Sequence, residues 1–284
     1  MIAVRTLSGQ HKISTLCRVL RVNRSSYYKF LHSSDSKREQ ENKKIRTCIL
    51  EIYAKTDKRL GTHKIAICLK RDYCINISDG RVYRLMKTMK LPKMSTVKPP
   101  KIKAETEQAD CCENVLKQQF DQPAPNMVWV CDFTYIRVGS RFYYICAILD
   151  LFSRKVIAYR ISNKIDRFLA MATLDDAVAA RGVSKGVMFH SDQGSQFTSA
   201  DFRKKIDSLN MIQSFSKKGH PYDNAVIECF FKYLKKEETD RRTFSNVNEL
   251  KISVFKYING FYNSIRPHSH NDGLSPNQKE NLFF

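Results

Sequence analysis

The sequence predicts an α/β protein, a mixed sheet with flanking helices, preceded by an all-α region. Three observations carry this. Residues 11–91 place apolar side chains at helical spacing, residues 127–162 form β-rich runs broken by turn residues, and from 164 onward helical and strand patterns alternate. The change of period falls at a Pro- and Lys-rich stretch. It divides the chain into a helical region (1–91), a basic linker (92–126) and an α/β domain with a C-terminal helix and tail (127–284). At 284 residues the chain is long enough for two such units, each with a core.

In order along the chain, "HKISTLCRVLRVNRSSYYKFLH" (11–32) reads as two short helices around a tight turn, with Ile13, Leu16, Cys17 and Leu20 on one face. Asn23 is a good cap for the second, which would expose Arg24, Ser25, Ser26 and Lys29. That is the size and chemistry of a helix-turn-helix, with Arg24 and Lys29 as candidate DNA contacts. From 38 to 91, "IRTCILEIYAKT", "THKIAICLKRDY" after Gly61, and "SDGRVYRLMKTMKL" capped by Ser78 predict three more helices. Their cations (Lys64, Lys70, Arg71, Arg81, Arg84, Lys87, Lys90) are expected to be exposed, and their nearly uniform sign favours contact with a DNA backbone. A short helix is expected near 110–119. "MVWVCDFTYIRV", "RFYYICAILDLF" and "RKVIAYRIS" predict a three-stranded antiparallel meander. A helix over 164–181, the strand "GVMFHSD", the helix "TSADFRKKIDSL", the strand "MIQSFS", a long helix from about 222 and a last helix over 246–263 follow, ending in a polar tail.

Composition narrows the function. Forty-nine Lys and Arg against 28 Asp and Glu leave a net charge of +21, an excess that suits an extended polyanion such as nucleic acid. No apolar run approaches the roughly 18 residues of a membrane span. The N-terminus lacks the apolar core of a secretion signal, so a cytosolic protein with no membrane partner is expected. Nine cysteines without a C-x-x-C pattern read as reduced thiols rather than disulfides or structural zinc.

Three carboxylates stand out. Asp132 lies in a strand whose alternation puts Val128, Val130, Asp132 and Thr134 on one face. Asp192 ends a strand in "FHSDQGSQFTS", the edge at which α/β sheets commonly meet a ligand. Glu228 lies on the long helix, where Asn224, Glu228 and Lys235 share roughly one face. Singly, each has a bland reading: an Asp satisfied by an arginine or by amides, a turn residue, a surface glutamate. Together they can form a hard-oxygen site for divalent metal. His190 is at least as readily structural as a phosphate ligand, and Asp150 and Asp223 read as residues that bond turn or helix-start amides.

The spacing of Asp132, Asp192 and Glu228 resembles the D,D(35)E signature of the retroviral integrase superfamily. The stretches "WVCDFTYI", "LDLFSRKVIAY", "FHSDQGSQFTS", "SKKGHPYDNAVIECFFKYLKKE" and "YNSIRPH" resemble the second-frame transposases of bacterial insertion sequences. "LGTHKIA" and "GRVYRLMKTMKL" resemble the helical DNA-binding region of that group. The resemblance spans nearly the whole chain, with the motifs in the family's order. It departs at Leu60, where an aromatic is common, and in showing no heptad repeat and no HHCC zinc module. The resemblance implies a ribonuclease-H-like core with Asp132, Asp192 and Glu228 as catalytic residues holding two Mg²⁺, with Mn²⁺ as a substitute. It implies cleavage at element ends and strand transfer into target DNA. It further implies DNA contacts from Lys235, Asn224, Lys217 and Lys218, a Gly219-bearing mobile loop before the catalytic helix, an upstream-frame product as partner or fusion segment, and a homo-oligomer on DNA. Two rivals keep the fold: an end-binding regulator, which has no need of the triad, and a plain nuclease, which has less need of a separate helical DNA-binding block.

Overall fold

A computed structural model describes residues 1–32, 36–91, 113–182, 186–217 and 221–283. Six helices come first: α1 (Ile2–Leu7), α2 (Ile13–Val19), α3 (Arg24–Leu31), α4 (Lys37–Lys55), α5 (Thr62–Tyr73) and α6 (Asp79–Thr88). Asn23 caps α3 by accepting from the Ser26 amide, and Ser78 caps α6 by accepting from the Arg81 amide, as the sequence predicts. The first three helices close a small core of Val4, Leu16, Cys17 and Tyr27. Arg24 and Lys29 stand exposed on α3. The helix α1 is one that the periodicity did not reveal.

Five strands form one sheet: β1 (Val128–Val138), β2 (Arg141–Asp150), β3 (Val156–Ser162), β4 (Met188–Ser191) and β5 (Ile212–Phe215), in the order β3-β2-β1-β4-β5. The first three make the expected antiparallel meander, while β4 and β5 run parallel to β1. Between them lie α7 (Arg167–Arg181), α8 (Ser195–Thr198) and α9 (Ala200–Ser208); α10 (Ala225–Glu237), α11 (Val247–Phe255) and α12 (Pro276–Asn281) complete the chain. A π-helical stretch, Lys256–Tyr262, continues α11.

Strand alternation sorts the sheet's two faces. Trp129, Cys131, Cys146, Ile148 and Phe189 pack under α7 and α9 with Leu174, Phe202 and Ile206. Val128, Val130, Ile145, Ala147 and Leu149 pack under α10 with Ile227, Phe230 and Leu234. The second core continues into α4, α5 and α6 through Ile45, Ile49, Ile65, Leu69 and Val82.

Three expectations are corrected. Residues 113–120 carry no helix, only a turn near Leu116–Gln118; the rest of the region expected to be helical lies outside the described residues. The cations of α4–α6 are not uniformly exposed. Lys64 pairs with Glu237 (3.1 Å), Arg71 with Asp72 (2.6 Å) and Arg81 with Glu41 (2.9 Å), which leaves Lys70, Arg84, Lys87 and Lys90 on the surface. The polar tail is packed structure. Ser275 and Gln278 form a capping box on α12, and buried Glu280 bonds Ser153 and Lys155 (both 2.8 Å) and pairs with Arg181.

Candidate active site

The parallel register of β1 and β4 pairs Val130 with His190. Two residues further along come Asp132, inside β1, and Asp192, the residue that follows β4, so the parallel register brings them to neighbouring positions on adjacent strands, which are spaced about 5 Å apart. Both have the parity of Val130, so Asp132 and Asp192 point to the face that α10 covers. Glu228, in the first turn of α10, is exposed at the rim.

Asp132 Oδ1 accepts from the Phe133 amide (2.7 Å) and Asp192 Oδ1 from the Gly194 amide (3.0 Å). Among the described residues, none of the three carboxylates has an ion-pair partner, although the chain is strongly basic. Burial and then the neighbouring Asp192 push the Asp132 carboxyl up to about 8; burial raises Asp192, and burial with Asp192 raises Glu228. Among the described residues no three His, Cys, Asp or Glu side chains already converge tightly enough to hold an ion. The donor set nevertheless fits one. Three carboxylates without an ion-pair partner, two of them partly buried, interact, with Asp192 raising the other two, and oxygen donors of this kind suit a hard divalent ion.

Lys235, two turns along α10 from Glu228, lies with its Nζ 4.7 Å from the centre of the Tyr135 ring. Burial holds its ammonium below the usual lysine range, opposed by Asp240 and Asp132. Lys217 is exposed, whereas Lys218 and Gly219 lie outside the described residues. Asn224 is only 6% exposed, and its Oδ1 is buried without a hydrogen-bond partner among the described residues. It precedes α10 without capping it through its side chain.

A ring of hydrogen bonds behind the carboxylates was not legible in the sequence. His190 is fully buried, with Nδ1 2.9 Å from Ser214 Oγ and Nε2 3.1 Å from the Asp223 carbonyl. The carbonyl can only accept, so Nε2 carries the proton and Nδ1 accepts from the serine hydroxyl. Burial pushes this imidazole down to about 4, which keeps it neutral and structural. Ser214 Oγ also accepts from the Val115 and Leu116 amides (3.0 and 3.1 Å). The Asp223 carboxylate accepts from Asn114, Gln118 and the Lys217 amide (2.8, 2.8 and 2.9 Å). The ring ties the strand before Asp192, the turn before Glu228 and the strap 113–118 into one unit. Asp150 similarly accepts from the Asn126 and Phe152 amides (2.7 and 2.9 Å), the turn-bonding role its sequence context suggests.

At the far end of α10, Arg266 forks onto Glu237 (2.8 and 2.9 Å), which also takes bonds from Lys64 and from Tyr257 (2.9 Å). Glu238 bonds Arg59 (2.6 Å) and Ser253. The helix carrying Glu228 is thus fastened to α5, to the α4–α5 turn and to the C-terminal segment. Only the stretch "YNSIRPH" hinted at Arg266, and nothing local named its partner.

A mixed five-stranded sheet with this order and acidic side chains at the β1–β4 edge defines an integrase-type catalytic core. The integrase core domain family matches residues 122–221 and again 228–282, and an HTH-like domain family matches residues 38–99. The chain is 32% identical over 276 residues to the transposase InsF for insertion sequence IS3A of Escherichia coli strain K12, covering 96% of this chain and 95% of that protein. It is 30% identical over 261 residues to the insertion element IS600 uncharacterized 31 kDa protein of Shigella sonnei, covering 92% and 96%. The chain belongs to the IS3 family of insertion-sequence transposases within the DDE superfamily. It is a DNA transposase, a polynucleotidyl transferase with a ribonuclease-H-like core and an HTH-like DNA-binding region. Among the described residues, no helix is long and apolar enough to cross a membrane.

Proposed function

We propose that Asp132, Asp192 and Glu228 are the catalytic residues and hold two Mg²⁺ ions, replaceable by Mn²⁺. The single observation behind this is the β1–β4 register, which sets Asp132 and Asp192 abreast on the face covered by the helix of Glu228. Bound there, the ions would supply Lewis-acid activation of a water or 3′-hydroxyl and stabilise charge on the leaving oxygen. The chain's own residues fix the geometry. The Phe133 and Gly194 amides orient the two aspartates, and the His190–Ser214–Asp223 ring holds the strand before Asp192 against the turn that starts α10. Cleavage at the element ends and joining to target DNA are then one in-line displacement at phosphorus with two nucleophiles and no covalent enzyme intermediate.

Lys235 and Lys217 bind phosphates beside the site, with Lys218, the next residue in the chain. Asn224, buried at the start of α10, reaches substrate only if the loop ahead of it moves, and it otherwise orders the helix start. Arg24 and Lys29 on α3 contact the element end, and the active form is a homo-oligomer on DNA that works with an upstream-frame product. The test is Mg²⁺-dependent cleavage and joining of DNA bearing the gene's own flanking ends, with Asp192→Asn and Glu228→Gln as controls, with and without the upstream frame. Joined products lost in both variants support the reading. Metal-independent binding without joining, even with the upstream frame present, would replace it with an end-binding regulator.

A further inference from the structure

On the side of α10 turned away from the three carboxylates lies a cavity of about 270 Å³. Lys64 of α5, Arg154 from the β2–β3 turn, Cys229 and Tyr233 of α10, and Arg266 and His268 from the segment after α11 all line it. Its charge is unbalanced. Arg266 is 1% and Arg154 9% exposed, and the Lys64 side chain is 25% exposed. Against these three cations stand two buried carboxylates among the described residues: Glu237, already shared by Arg266 and Lys64, and Asp150, which acts on Arg154 while its oxygens accept from the Asn126 and Phe152 amides. A third acid, Asp121, lies 3.7 Å from Arg154 with its side chain 91% exposed to water, where it screens little.

The remaining polar wall is neutral. Burial and then the arginines hold both His268 and His270 below their ordinary range, so they offer hydrogen bonds without adding charge. Two tyrosine rings, Tyr233 and Tyr262, flank the Arg266 guanidinium at 3.8 and 5.6 Å from their centres. The Glu237 pairs account for how α5 and the C-terminal segment are fastened to α10. They do not account for an open space bordered by a second arginine and two neutral imidazoles. Partly desolvated positive charge in excess is costly unless an anion enters, and arginine with lysine is the usual donor set for phosphate.

We propose that this cavity is a phosphate-binding site filled by a backbone phosphate of the DNA on which the transposase acts. The anion chemistry stands on the cavity itself; DNA as its source rests on the proposed cleavage and joining of DNA ends. The site places a second grip on DNA along the helix that bears Glu228.

Cys229 is a free, half-buried thiol in the cavity wall, and Cys74, at the end of α5, is a free exposed one. Full-length, metal-free protein is treated with a sulfonate-bearing or a trimethylammonium-bearing methanethiosulfonate, and modification of each cysteine is read by peptide mass spectrometry. The anionic-to-cationic rate ratio should be roughly tenfold higher at Cys229 than at Cys74 and should fall several-fold in Lys64→Gln. A short DNA duplex should slow anionic labelling of Cys229 at least about fivefold, while sodium chloride of equal ionic strength should not. Equal ratios at the two cysteines, or no labelling of Cys229 by either reagent, overturn the site. Protection by inorganic phosphate without protection by duplex overturns DNA as the occupant. Since no turnover is read, a chain that failed to cleave or join DNA would lose the proposed reaction without altering this result.

Discussion

Glu237→Gln isolates what fastens the catalytic helix. Glu237 is 4% and Arg266 1% exposed, and their two bonds at 2.8 and 2.9 Å form a planar fork. Burial alone would raise the Glu237 carboxyl, yet Arg266 and Lys64 hold it below the ordinary range, so it is ionised in the fold. The amide keeps the shape and the bond from Tyr257 but leaves the guanidinium buried without a counter-charge. Breaking a buried pair in this way costs about 3–5 kcal/mol. At about 2–4 °C per kcal/mol for a chain of this size, the thermal midpoint should fall by roughly 6–20 °C. Trp129, the single tryptophan, is 1% exposed on β1 and reports the transition by fluorescence. Lys64→Gln is the contrast. Burial, with Arg266 second, has already pushed that ammonium down to about 8, so its charge gains little from folding and its loss should cost under about 1 kcal/mol. A Glu237→Gln protein within about 1 kcal/mol of the parent would refute the account.

Asp223→Ala removes the carboxylate that closes the ring behind the site. Mg²⁺ affinity or joining rate should drop about 10–100-fold while end binding stays unchanged, and a parallel loss of DNA affinity would point instead to a collapsed loop. Arg24→Ala and Lys29→Ala should each lower the slope of log affinity against log salt by about 1, measured by titration of duplex ends at several salt concentrations. Glu280 gives a pH test. Burial would raise its carboxyl, but Arg181 and Lys155 hold it below the ordinary 4.5, so its stabilisation is present above that value and is lost as pH falls through the lower folded value. Denaturation midpoints of the parent and Glu280→Gln should therefore differ near neutrality and converge in acid; a gap that persists there would sink this assignment.

Much of the fold is written locally. The switch from helical to strand period near Met127, the caps at Asn23 and Ser78, and the three runs of the meander are short-range properties that need no tertiary context. The candidate site is legible for a related reason. Asp132 inside an apolar strand, Asp192 at the end of another and Glu228 on a helix each have a structural reading alone, and it is their combination and spacing that single them out.

What sequence alone left open is the company each side chain keeps. Lys64 and Arg81 carry the same formal charge as Lys70 and Lys87, yet tertiary contact pairs the first two and leaves the others in water. Glu237 meets Lys64 across 173 residues, Asp223 meets Asn114 across 109, and Glu280 meets Ser153 across 127, distances over which no periodicity carries information. The sequence by itself determined most of the helices and strands and brought three carboxylates forward as candidates, because backbone propensity and apolar alternation act within a few residues. Only the tertiary structure decided which charges are buried, which are shared and which remain to meet DNA, because desolvation and pairing depend on what the fold brings within about 4 Å.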